Sequence, residues 1–76
     1  MNIRERVKEI ASSVCPAVDF ENEKALIDDQ ILESLDIVSI VSELMYEFEI
    51  QLDVEDLAPE NFNSLDAIAE LVESYL

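Results

Sequence analysis

The 76-residue chain contains no glycine, no tryptophan and no histidine, one cysteine, two prolines and only four basic residues. Tight two-residue hairpins lean on glycine, so its absence counts against sheet architectures and favours helices joined by irregular loops. Without histidine, and with Cys15 alone, no zinc site of fixed Cys/His spacing can be assembled and no internal disulfide can form. Cys15 reads as a small apolar residue beside a loop. Four Lys and Arg residues are too few to neutralise a phosphate backbone or to hold an anionic membrane surface, which counts against nucleic acid and membrane partners. No apolar run has the length needed for membrane insertion and no export signal is visible, so the expected compartment is the cytoplasm.

What the chain does have is acid and hydrocarbon. Nineteen Asp and Glu residues bring the formal charge to −15, and half of all residues are hydrophobic. That is enough apolar material for one small core, so residues 1–76 are read as a single domain, expected as a monomer, that buries roughly 60% of its unfolded surface. Self-repulsion keeps such a chain soluble but opposes its compact state. Partners with basic patches are favoured, and their association should weaken with salt.

Apolar residues at Ile3, Val7, Ile10, Ala11 and Val14 have helical spacing over 2–14, with Asn2 and Glu5 placed as a capping box and Pro16 barring continuation. Residues 17–33 show no clean period and read as a long ordered loop, pinned by its apolar residues Val18, Phe20, Ala25, Leu26, Ile27, Ile31 and Leu32, with a short turn near 22–26. Over 35–49, Ile37, Val38, Ile40, Val41, Leu44, Met45 and Phe48 form one face of a helix. This helix is expected to be the hub on which the others pack. Leu35 breaks its pattern by projecting from the polar side. A helical turn is expected near 54–58, ended by Pro59, and a last helix over 64–75 with Asn63 or Ser64 as its N-cap. The fold class is therefore all-α: three main helices and one short one, with a long loop between the first two.

Several chemistries fail on the residues. Ser34 has no imidazole or lysine nearby in sequence to activate it, and no carboxylate pair stands out from the general acidity, so no catalytic residue is assigned and no enzyme is expected. The window 19-DFENEKALIDDQ-30 fails as a calcium loop, with Lys24 at its sixth position and Gln30 at its twelfth, and no metal ligand is assigned. Asp28 and Asp29 could still draw cations weakly. What remains is 33-ESLD-36, a hydroxyl between acids at the start of the apolar-faced helix. On spacing, Ser34 reads first as an N-cap, with Asp36 favouring the positive helix end. The unpaired amides of a helix start also suit a phosphate, so an exposed hydroxyl there could carry a phosphodiester.

The run Asp29-Gln30-Ile31-Leu32-Glu33-Ser34-Leu35-Asp36 resembles the signature of acyl and peptidyl carrier proteins, Asp-Gly, two apolar residues, then Asp-Ser-Leu-Asp. The stretch 37-IVSIVSELMYEFEIQL-52 is similar to that family's second helix. The stretch 53-DVEDLAPENFNSLDAIAELVESYL-76 is similar to its third and fourth, including an Asn-Phe-x-Ser-x-x-x-Ile pattern. The resemblance implies a four-helix bundle. It also implies that a phosphopantetheinyl transferase attaches 4'-phosphopantetheine from coenzyme A to Ser34, and that acyl- or aminoacyl-loading and processing enzymes with basic docking patches meet Glu33, Leu35, Asp36, Glu43 and Glu47. The interior of such carriers can open to shelter an acyl chain. Gln30 stands where many members have Gly, and Glu33 where nearly all have Asp. Ser39 and Ser42 occupy outward positions where carriers of fatty acid synthesis commonly show an acid and a bulky apolar residue. These departures point toward a specialised freestanding carrier in an aminoacyl, lipid-modifying, polyketide or nonribosomal peptide setting. Two alternatives stay open: an acidic helical interaction module that is never modified, and a cation sensor.

Overall fold

A computed structural model describes residues 2–76, apart from the side chain of Val54. Four α-helices follow one another: α1 (Ile3–Val14), α2 (Ser34–Phe48), α3 (Pro59–Phe62) and α4 (Leu65–Ser74), with a 3₁₀ turn at Val54–Leu57 before α3. The described residues contain no strand, and none of their helices is long and apolar enough to cross a membrane.

Local chemistry sets the helix ends. The Asn2 side chain accepts the Glu5 N–H at 3.2 Å and so begins α1. At the other end the Cys15 N–H reaches the Ala11 carbonyl at 2.9 Å, and Pro16 follows. Ser64 rather than Asn63 caps α4, accepting the Ala67 N–H at 3.1 Å. The expectation at Pro59 is corrected: this proline opens α3 instead of closing the preceding turn. A proline at the first helical position lacks only an N–H that would have had no intrahelical partner, and its fixed φ already suits the helix.

One apolar cluster collects Val7, Ile10 and Ala11 of α1, Ile40, Val41 and Leu44 of α2, Phe62 of α3, and Leu65, Ile68, Ala69, Leu71 and Val72 of α4. Phe20, Leu26 and Leu32 join it from the long loop, so the loop is pinned at three points as its apolar residues suggested. Burying a Phe or Leu side chain contributes about 1.5–3 kcal/mol, enough for these three to hold a segment that has little regular hydrogen bonding. The loop's clearest turn lies at 26–30, not near 22–26. There Asp29 N–H donates to the Ala25 carbonyl at 2.8 Å and Ile31 N–H to the Leu26 carbonyl at 2.9 Å.

Two further expectations change. The hub is α1, against which both α2 and α4 pack most extensively, rather than α2. α1 presents the small residues Ala11 and Val7 at full burial, which lets neighbouring backbones come near, whereas α2 points Ile40 and Leu44 inward. Val38, placed on the buried face by its spacing, is 56% exposed. Ile37 takes the half-buried position beside the core, and Val38, about 100° further round the helix, lies at the edge of the apolar face and turns outward.

Candidate functional site

Ser34 is exposed and is the first residue of α2. The N-cap is Glu33, which corrects the reading of Ser34 itself as the cap. Glu33 and Asp36 stand three residues apart and box each other. The Glu33 N–H donates to the Asp36 carboxylate at 3.1 Å, and the Glu33 side chain is turned toward the Asp36 amide. With an acid doing the capping, the Ser34 hydroxyl forms no hydrogen bond among the described residues and projects at a helix end whose first amides lack intrahelical partners.

The approach to this serine is unusual for a chain without glycine. Gln30 adopts φ 58°, in the left-handed region, and four residues later the chain enters α2. That is the position where the carrier signature has Gly, and the backbone here keeps the conformation that Gly would favour.

α2 presents an outward stripe. Leu35 is 78% exposed, and the exposed Val38, Ser42 and Tyr46 continue the same side at helical spacing. Leu35 was legible from sequence because it broke the pattern. Val38 was missed, since an apolar residue beside Ile37 carries no mark of which of the two turns outward.

The charges divide sharply. Arg4 pairs with Glu21 at 3.0 Å and Asp66 at 2.5 Å, Lys8 with Glu21 at 3.3 Å, and Lys24 with Asp66 at 3.9 Å. Arg6 pairs with Glu9 at 2.8 Å and Glu47 at 2.6 Å. All four cations of the chain are thus used within it. The Arg4 hydrogen bond is the main cause that holds both Glu21 and Asp66 below the usual carboxylate range. Glu47, expected to face partners, is exposed and ties α2 to α1 through Arg6. Among the described residues Glu33, Asp36 and Glu43 have no ion-pair partner. The surface around Ser34 is therefore left with uncompensated negative charge.

Cys15, at the end of α1, is half-buried beside this corner. Burial first, then the neighbouring Asp36 carboxylate, push its thiol above the ordinary value. A thiol held in that form is a poor nucleophile and behaves as the small apolar residue its setting suggested.

No family model matches the chain, and no solved structure matches it. Over 77 aligned positions it is 27% identical to the acyl carrier protein of Buchnera aphidicola subsp. Baizongia pistaciae, an alignment covering 99% of this chain and 96% of that relative. The resemblance to acyl carrier proteins drawn from the residues around Ser34 thus extends, in a relative of that name, over nearly the whole chain.

Proposed function

We propose that this protein is a carrier, not an enzyme, that holds acyl or aminoacyl intermediates on a 4'-phosphopantetheine arm attached to Ser34 and delivers them to partner enzymes. The observation that carries the reading is the exposed, unbonded hydroxyl at the first position of α2, inside a motif that resembles a carrier signature in a chain similar end to end to an acyl carrier protein.

The residues fit the group. The Ser34 oxygen can form the new P–O bond as the pyrophosphate link of coenzyme A breaks, with adenosine 3',5'-bisphosphate leaving and the hydroxyl proton passing to the transferase. The free amides at the start of α2 favour the resulting phosphodiester, while Glu33 and Asp36 oppose it by charge, so a divalent cation and the transferase's own basic residues must screen them during transfer. Once attached, the arm supplies a terminal thiol that holds cargo as a thioester. The protein's own part is presentation: Leu35 and Val38 offer apolar contact, and Glu33, Asp36 and Glu43 offer charge to a basic docking patch. Glu47 shares its charge with Arg6. The outward Ser39 and Ser42, with Gln30 and Glu33 in the motif, favour a specialised pathway over the general synthesis of fatty acids.

The test is intact mass after incubation with coenzyme A, magnesium and transferases of broad specificity. A gain of one phosphopantetheine, absent in Ser34→Ala, is the expected result. No gain with any transferase, or the same gain in Ser34→Ala, would refute the proposal and favour the unmodified interaction module.

A further inference from the structure

The long loop reaches Ser34 by way of the turn at 26–30, and one distant residue grips that turn. Asn63, in the corner between α3 and α4, meets three consecutive loop amides. Its backbone carbonyl accepts the Leu26 N–H at 2.8 Å. Its side-chain Oδ1 accepts the Ile27 N–H at 3.0 Å and the Asp28 N–H at 3.1 Å. Its Nδ2 donates to the Asp28 carboxylate at 3.2 Å. The first amides of an isolated helical turn have no partners of their own, and here a residue 36 positions away from Ile27 supplies them. Ser64 caps α4 by itself, so the Asn63 side chain is not needed there and all its polar atoms serve the loop. The grip lies between the buried Leu26 and the α4 corner marked by the buried Phe62 and Leu65, and Gln30, Glu33 and Ser34 follow directly on the held turn.

We infer that Asn63 is the positioning residue for the Ser34 loop: it caps the turn at 26–30 across the fold and thereby fixes the direction from which Ser34 is offered to the modifying enzyme. The part that concerns modification rests on the carrier reading; the part that concerns the loop does not. Only an amide fits the position. Alanine removes two acceptor contacts and one donor contact. Aspartate keeps an acceptor for the two loop amides but sets a second carboxylate against Asp28 where a donor had been. Pairing Asn63→Asp with Asp28→Asn reverses the polarity of that last bond and restores it, since the amide now at position 28 donates to the carboxylate now at 63.

The experiment compares wild type, Asn63→Ala, Asn63→Asp and the double variant Asn63→Asp/Asp28→Asn by two readouts. The first is backbone amide hydrogen exchange, which needs no modification of Ser34. Exchange at Ile27 and Asp28 should accelerate about two- to tenfold in Asn63→Ala, the loss of roughly one net hydrogen bond at each site, while amides of α1 and α4 keep their rates; the double variant should return toward wild type. The second is transferase kinetics. A loop that is only fractionally in its competent arrangement raises KM by the reciprocal of that fraction and leaves kcat in place, so Asn63→Ala and Asn63→Asp should raise KM severalfold at constant kcat, and the double variant should recover it. Unchanged exchange at 27 and 28 in Asn63→Ala overturns the inference even if wild type is modified normally. Acceleration spread equally over α1 and α4, or a double variant no better than Asn63→Asp, overturns it too by showing a general loss of stability. Should wild type itself accept no phosphopantetheine, the carrier reading fails, and the exchange result still decides the role of Asn63 in the loop.

Discussion

A chain with no glycine nonetheless places two residues in left-handed backbone, Gln30 at φ 58° and Glu49 at φ 54°. For an L-residue that conformation costs about 1–2 kcal/mol because Cβ crowds the following carbonyl. Glycine removes that cost but adds unfolded-state freedom worth about 0.5–1 kcal/mol. The net gain expected for Gln30→Gly is therefore about 0.5–1 kcal/mol. Glu49→Gly should gain at least as much. Glu49 is the C-cap of α2, where its turn lets the Ile50 N–H reach the Met45 carbonyl at 3.2 Å, and a negative charge at a helix C-terminus is itself unfavourable by about 0.3–1 kcal/mol. The two positions stand before and after the 15-residue α2, roughly 20 Å apart at its helical rise, and should act additively. For a domain of this size, calorimetry should show Tm higher by about 2–8 °C for each single variant and by the sum for the pair. Gln30→Ala is the control: it keeps the crowding and should show no comparable rise. If the glycine variants melt at or below wild type while the urea m-value stays constant, the strain assigned to these two residues is refuted.

Three other outcomes follow from the same structure. Tyr75 donates a hydrogen bond to Asp56, which pushes its phenol up from 10.0 to about 12. In a Tyr46→Phe background its ultraviolet titration should have a midpoint about two units above that of the same protein carrying Asp56→Asn. The stabilisation it gives is complete below pH 10 and disappears as pH rises through about 12. Phe62→Ala should cost about 3–5 kcal/mol, since its ring is wholly buried; against a typical total of about 5–15 kcal/mol, a large fall in the urea midpoint is expected, and a loss under 1 kcal/mol would contradict the packing described. Because a net charge of −15 faces only six internal ion pairs among the described residues, melting should rise with moderate salt or magnesium, and an unchanged Tm from low to moderate ionic strength would show that self-repulsion is unimportant.

The sequence by itself determined whatever depends on neighbours within a turn or two of helix. The cap at Asn2, the stripes of α1 and α4, the outward Leu35, and the place of Ser34 at the beginning of α2 follow from side chains that reach backbone groups three or four residues away. That apolar residues pin the long loop was also legible, but which of the seven go fully inside, Phe20, Leu26 and Leu32, was not. Where two local solutions compete, as with Glu33 or Ser34 for the cap and Pro59 as an end or a beginning, spacing alone left the choice one residue or one element off. Tertiary structure alone decided the rest. Arg6 finds Glu47 across 41 positions and so ties α2 to α1; Asn63 finds the loop across 36; α1, with its small residues, becomes the surface on which α2 and α4 meet. Hydrophobic periodicity tells which side of a helix turns inward, but it is blind to which helices then face each other. An ion pair or a clasping amide exists only once packing has brought two remote backbones to within a side chain's reach.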